Sequence, residues 1–264
     1  MKKNYSLAIE AALKAGESIL EVYRSDDFGI QTKEDESPLT VADQKAHNII
    51  QEHLKETSIP LLSEEGKHTP YDERRDWNLF WLVDPLDGTK EFVNRNDEFT
   101  VNIALVDGGK AIFGVVYAPV IKELFVGIVG RGAYRCTTED NINQPLDYLL
   151  QFADSLPLEE PSQETFRVVA SRSHFNEDTK NYVESLDSGG RKISLVSKGS
   201  SLKLCMVASG EADIYPRLGP TMEWDTAAAH AVVKAAGKNV YRTDTGDELC
   251  YNKQNLLNPY FVVK

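Results

Sequence analysis

The chain has 264 residues, 41% hydrophobic and 27% charged, which suits one large or two modest globular domains and excludes disorder, collagen and coiled coil. A chain this long buries roughly three-quarters of its unfolded surface, so its core needs no staples. Its three scattered cysteines, Cys136, Cys205 and Cys250, form neither a disulfide framework nor a Cys/His zinc motif. The 29 basic and 41 acidic residues give a formal charge of −12, which disfavours nucleic acid and anionic membrane surfaces as partners.

The N-terminus runs straight into an amphipathic pattern with no signal-peptide apolar block. Ala8, Ala12, Ala15, Ile19 and Val22 recur at helical spacing and predict a helix over 5–24. After a polar stretch, 25–38, Thr40 opens a second helix with Ala42, Ala46, Ile49 and His53 on one face. Thr40-Val41-Ala42-Asp43 has the spacing of a capping box. Residues 78–83 read as a buried strand that stops at Asp84-Pro85-Leu86-Asp87-Gly88. An antiparallel meander follows over 101–105, 111–117, 124–129 and 133–134, with turns at Gly108-Gly109 and Gly130-Arg131-Gly132. The longest uncharged apolar run, 111–121, falls short of the ~20 residues that span a bilayer. The expectation is a soluble, cytoplasmic protein without an integral membrane segment.

Residues 138–165 are polar with scattered prolines and read as a linker or excursion. Beyond them, strands at 167–171, 192–197, 213–218, 239–242 and 261–263 alternate with helices at 177–186, 200–208 and 226–236. Such alternation predicts a partly parallel sheet covered by helices. The chain thus divides into an α+β half, 1–137, and an α/β half, 138–264.

The residues that carry chemistry are acidic. A strand delivers Asp84 to its carboxyl end, and Asp87 follows on a tight turn. Two carboxylates and the Leu86 carbonyl can converge there, a hard-oxygen donor set that suits Mg²⁺. Gly88 and Thr89 offer backbone N–H groups to an anion. Pro, Asp and Gly also build plain turns. Two acids ending a buried strand favour a metal, because unpaired buried carboxylates are costly. Glu64, in Ser63-Glu64-Glu65-Gly66, is a third acidic ligand or part of an exposed acidic loop. Asp225, after Trp224, opens an Ala-rich helix and serves equally as its cap. Asp43 has the same double reading. His230, Trp77 and Trp81 read as packing residues, His47 and His53 as surface or core-edge ones.

The combination of Glu64-Glu65, Asp84-x-x-Asp87-Gly88-Thr89 and a distant Trp224-Asp225 resembles the inositol monophosphatase-like superfamily of Mg²⁺-dependent, Li⁺-sensitive phosphomonoesterases. Lys90-Glu91-Phe92, Gly199-Ser200-Ser201-Leu202-Lys203 and Tyr215-Pro216-Arg217 resemble its 3′(2′),5′-bisphosphate nucleotidase branch. The resemblance implies a layered α/β fold, an alternating α-β-α-β-α sandwich, with the metal site between the two halves. It implies that Glu64, Asp84, Asp87, the Leu86 carbonyl and Asp225 hold two or three Mg²⁺ ions and face the substrate. Asp43 and Thr89 would orient the attacking water. Gly88 and Thr89 would receive the scissile phosphate. Ser171, His174, Gly199, Ser200, Lys203 and Arg217 would contact the nucleotide. Lys198 would add positive charge, and Glu65 would support the metal shell indirectly.

The implied substrate is a 3′-phosphorylated adenosine nucleotide. Adenosine 3′,5′-bisphosphate would lose its 3′-phosphate to give AMP, with 3′-phosphoadenylyl sulfate as the analogue. A phosphomonoester dianion repels a hydroxide nucleophile, and paired cations about 3.5–4 Å apart offset that repulsion. An inositol- or sugar-phosphate phosphatase on the same scaffold is one alternative. A non-catalytic metal- and nucleotide-binding regulator is the other. The sequence sets neither the oligomeric state nor any loose membrane association.

Overall fold

A computed structural model describes residues 1–25, 31–32, 38–138, 146–170 and 176–264. Helix α1 (Lys2–Tyr23) precedes a short antiparallel ribbon, β1 (Gln31–Thr32) and β2 (Pro38–Leu39), and then α2 (Val41–Lys55). The face predicted for α1 is buried along its length. The face of α2 is only partly the one predicted: Ala42 and Ala46 are buried, while Ile49 and His53 are half-buried. Ala42, Ala46, Ile50 and Leu54, each four residues apart, are buried together with Asp43 and His47. The i, i+4 stripe drifts back around the helix, and it carries Ile50 inward in place of Ile49. His47 accordingly sits inside, its Nδ1 2.9 Å from Ser63 Oγ.

The central sheet is seven-stranded. Its members, in order, are β3 (Leu61–Ser63), β4 (Leu79–Asp87), β5 (Thr100–Asp107), β6 (Lys110–Ala118), β7 (Glu123–Ile128), β8 (Gly132–Thr137) and β9 (Asp154–Ser155). Short helices α3 (Tyr71–Arg74) and α4 (Thr89–Val93) flank β4, and α5 (Leu146–Phe152) precedes β9. Only β3 and β4 pair in parallel; the rest are antiparallel. Both faces are covered. Trp81 and Val83 join the core beneath α1 and α2, while Phe80 and Leu82, one residue out of phase, join the core on the other side. That double burial explains the unbroken apolar run in β4. The 138–165 stretch is more than a linker. Leu146, Leu149 and Leu150 of α5 pack into the first core, and β9 extends the sheet.

The remaining elements are β10 (Thr165–Ala170), α6 (Glu177–Glu184), β11 (Lys192–Ser197), α7 (Leu202–Ser209), β12 (Tyr215–Arg217), α8 (Glu223–Ala235), β13 (Val240–Arg242) and β14 (Phe261–Val263). β10 and β11 pair in parallel, β14 lies between β12 and β13, and a parallel bridge from Val168 to Ile214 links the groups. α7 and α8 share the second core with the central sheet and the C-terminal strands. Val183 of α6 packs on the far face against Val168, Ile214 and Val262. The layers therefore run α-β-α-β-α, as predicted. Gly210, in the left-handed region at φ 85°, ends α7. Among the described residues no helix is long and apolar enough to cross a membrane.

The seat of α8 depends on two glycines. A Cβ on Gly114 would stand 2.0 Å from the Ala228 carbonyl oxygen, and one on Gly127 would stand 2.4 Å from Val232 Cα. Both obstacles are backbone, so relief requires moving the helix. Gly114→Ala is expected to cost about 3 kcal/mol or more, read as a lower denaturant midpoint at unchanged slope. A midpoint within error of the parent would refute this close contact. Farther along α8, His230 is a packed residue as predicted: its Nε2 lies 2.9 Å from Asn239 Oδ1 and its Nδ1 2.8 Å from the Tyr251 hydroxyl. Asn239 Oδ1 can only accept, so the neutral ring carries its proton on Nε2. Burial pulls the His230 pKa down to about 4.

Candidate active site

β4 does not stop at Asp84, as the sequence suggests, but continues to Asp87 through a bulge. The register passes from Asp84 opposite Asn102 to Asp87 opposite Thr100, three steps on β4 against two on β5. In a regular strand, residues three apart point to opposite faces. The extra residue restores the phase and brings Asp84 and Asp87 to the same side. Pro85 suits this position because it has no N–H to leave unpaired in the ladder.

Glu64 immediately follows β3, and its N–H donates to the Val83 carbonyl at 3.1 Å. This bond carries the β3–β4 pairing one residue farther and sets Glu64 beside Asp84. Asp225 arrives from the opposite direction. α8 starts earlier than predicted, with Met222 as its cap, so Asp225 is the third helical residue and not the cap itself. Its Oδ2 accepts from the Met222 N–H at 2.8 Å. One carboxylate oxygen from each of Glu64, Asp84 and Asp225 lies within 4.8 Å of the others. Asp87 stands outside that trio, and its Oδ2 accepts from Ser201 Oγ at 2.8 Å.

Asp43 and Thr89, 46 residues apart, meet: Thr89 Oγ1 donates to Asp43 Oδ1 at 3.3 Å. The other oxygen of Asp43 holds the capping box, accepting from the Thr40 N–H at 2.8 Å and the Thr40 hydroxyl at 2.5 Å. Capping and the Thr89 contact thus use different oxygens of the one carboxylate. The Thr89 hydroxyl also lies 3.3 Å from the Leu86 carbonyl. Gly88 caps α4 at φ 91°, and a Cβ there would press on Glu91, the Glu98 carbonyl and Ser200 at 3.3 Å. Only glycine combines that backbone with that crowding.

The sequence model of the inositol monophosphatase family matches residues 1–260. The chain belongs to this family. The 3′(2′),5′-bisphosphate nucleotidase CysQ of Shigella flexneri is 43% identical over 258 residues, 96% of each chain. That of Escherichia coli K12 is 42% identical over 259 residues, again 96% of each. The crystal structure of CysQ from Bacteroides thetaiotaomicron, a bacterial member of the inositol monophosphatase family, is similar at a TM-score of 0.91 and 48% identity. It covers 100% of this chain and 97% of that one.

The electrostatics of this family member fit a cation. Burial, then the charges of Glu64, Asp87 and Asp225, hold the Asp84 carboxyl well above the usual carboxylate range. Loss of water, then Asp87 and Glu64, do the same to Asp225. Among the described residues no Lys or Arg forms an ion pair with Asp84, Asp87 or Asp225. The donors are all oxygen, with neither thiolate nor imidazole in the cluster. Such a set favours a hard divalent ion, whose charge would remove the repulsion that now raises both carboxyls.

Asp87 and Asp225 also line a cavity of about 110 Å³, and Lys203, Arg217, Ser200 and Gly88 form other parts of its wall. Lys203 is no solvated lysine. It is 7% exposed, its Nζ donates to the Ser200 carbonyl at 2.7 Å, and burial pulls its pKa down to about 8 against the opposing charge of Asp87. Arg217 Nη2 donates to the Pro220 carbonyl at 2.9 Å, while its Nε is buried without a hydrogen-bond partner. Gly199 packs where a Cβ would meet the Glu98 carbonyl at 2.7 Å. Lys198 does not line this cavity, and its Nζ pairs with Glu98 at 3.7 Å. Ser171 and His174 lie outside the described residues.

Sequence reasoning missed Asn102 and Thr100 and did not single out Ser201. Asn102 interrupts the apolar run Val101-Asn102-Ile103-Ala104-Leu105 and is fully buried. A polar residue inside a double-faced buried strand signals a partner. Which partner it meets could not be read from the run.

Proposed function

We propose that this member of the inositol monophosphatase family is a Mg²⁺-dependent 3′(2′),5′-bisphosphate nucleotidase that converts adenosine 3′,5′-bisphosphate to AMP and phosphate. The observation that carries the reading is the place of Lys203, a buried cation in the wall of the cavity that Asp87 and Asp225 line. A substrate with one phosphate needs only the acidic cluster and its cations. A second phosphate needs separate donors, and Lys203 and Arg217 are on hand in the same cavity. The 42–43% identity to nucleotidases of this name supports the same substrate. The proposal divides the work between the half 1–137, with the strand-end acids, and the half 138–264, with Lys203, Arg217 and Asp225.

Glu64, Asp84, Asp87, Asp225 and the Leu86 carbonyl would hold two or three Mg²⁺ ions, which supply charge neutralisation and a more acidic bound water. The chain's own groups do the rest. Thr89 Oγ1 gives its proton toward Asp43 Oδ1 and so turns a lone pair outward. A water donating to that lone pair is aimed with its own lone pair at phosphorus. As the water attacks, its proton passes to Thr89 Oγ1 while the threonine proton passes to Asp43; the P–O3′ bond breaks, and the leaving 3′-oxygen takes a proton from solvent water to give the AMP hydroxyl. The N–H groups of Gly88 and Thr89 receive the phosphate oxygens. Ser171, His174, Gly199 and Ser200 complete the nucleotide contacts in this proposal, and 3′-phosphoadenylyl sulfate is held in the same way.

Lys203→Met tests the substrate, since methionine keeps the buried volume and removes the charge. Loss of one charge-assisted contact is expected to lower kcat/KM for adenosine 3′,5′-bisphosphate roughly ten- to hundredfold. Turnover of inositol 1-phosphate should change little. Both substrates are compared at one ionic strength, because salt screens charge. A parent enzyme that prefers the inositol ester, or a variant that loses both activities equally, would replace the nucleotidase with a general phosphatase.

A further inference from the structure

The bulge sets the backbone direction of Asp87 but leaves its side chain free to rotate. Two side chains from distant elements hold it. Ser201 Oγ, just ahead of α7, lies 2.8 Å from Asp87 Oδ2 and 2.7 Å from the backbone carbonyl of Asp225. Asn102 Nδ2, on β5, donates to Ser201 Oγ at 2.9 Å and to Asp87 Oδ2 at 3.4 Å. Thr100 Oγ1 donates to Asn102 Oδ1 at 3.1 Å. The Asp87 carboxylate decides how the amide stands, since turning it around would set oxygen against oxygen. Thr100, Asn102 and Ser201 are each at most 1% exposed, so water does not compete for these bonds.

All the bonds to Asp87 go to Oδ2; among the described residues Oδ1 accepts none. The Ser201 hydroxyl has one proton for two acceptors, so its position couples Asp87 to the helix that carries Asp225. We propose that Ser201 and Asn102 are positioning residues of the cation site, fixing the Asp87 carboxylate through Oδ2 at a set distance from Asp225. This rests on the proposed role of Asp87 as a cation ligand. Outer-sphere partners of this kind typically change metal affinity 10- to 100-fold when removed. Buried networks also act as units, so losing either member should release the same carboxylate.

The test is calorimetric titration of the whole, substrate-free chain with Mg²⁺, alongside its thermal midpoint without cation. Ser201→Ala and Asn102→Leu are each expected to weaken Mg²⁺ binding about 10- to 100-fold, and the double variant little further. Ser209→Ala is the control. It removes an equally buried hydroxyl from the last residue of α7, one that among the described residues bonds only the Met206 carbonyl at 3.1 Å, and its Mg²⁺ affinity should match the parent's. If Ser201→Ala does not fold, Asn102→Ser, which withdraws the amide without adding charge, is read in its place. Variants that bind Mg²⁺ within about twofold of the parent, whatever their melting temperature, overturn the positioning role while the cation site stands. A parent chain that binds no Mg²⁺ defeats the cation site itself, and this inference with it.

Discussion

Asp84→Asn is expected to lower kcat by at least ~10³, equivalent to about 4 kcal/mol of transition-state stabilisation. The substitution preserves shape and removes charge from the most buried member of the acidic cluster, 1% exposed and within 4.8 Å of two other carboxylates. Its effect on stability should run the other way. In the cation-free chain, the folded state holds the Asp84 carboxyl above its ordinary pKa, so ionising it at neutral pH works against folding. The neutral amide relieves that repulsion, and the cation-free variant should melt no lower than the parent. A site kept for function at a cost in stability behaves in this way. Kinetics at saturating Mg²⁺ and a thermal scan in chelator check both halves. A variant that keeps its kcat, or a parent active in excess chelator, would end the metal reading.

The second large effect separates catalysis from capping at Asp43. If Asp43 orients water through Thr89, Asp43→Asn and Thr89→Ala should each lower kcat about 10²- to 10⁴-fold, the range expected for a proton-handling group. The double variant should be little worse than the poorer single, because a unit is lost only once. The amide that replaces the carboxylate in Asp43→Asn still offers one oxygen, so the helix start is only partly weakened and the stability loss should stay near ~1 kcal/mol. A melting-point drop with kcat near the parent's would leave Asp43 as a cap and nothing more. The separate use of its two oxygens, one toward Thr40 and one toward Thr89, makes the two effects separable.

Local signals were legible. The capping box at Thr40 and the αL stop at Gly210 stand where their residues put them, because such hydrogen bonds span three or four residues. The strand-end acids Asp84 and Asp87, and the layered fold implied by the family motifs, were equally readable. Misreadings fell where distant packing decides. The end of β4 moved because β5 continues to pair past Pro85. α8 begins two residues before Asp225: Met222 occupies the cap position without a side-chain bond, and Asp225 holds the helix start from the third position by accepting from the Met222 N–H. By itself the sequence determined which residue types stand at each strand end and helix start, and so which donors exist. Tertiary structure alone decided that Thr89 meets Asp43, that Ser201 reaches Asp87 across 114 residues, and that Lys203 is buried in the cavity wall. Local hydrogen bonding depends on neighbours in the chain, whereas desolvation and the field at a carboxylate depend on everything packed around it.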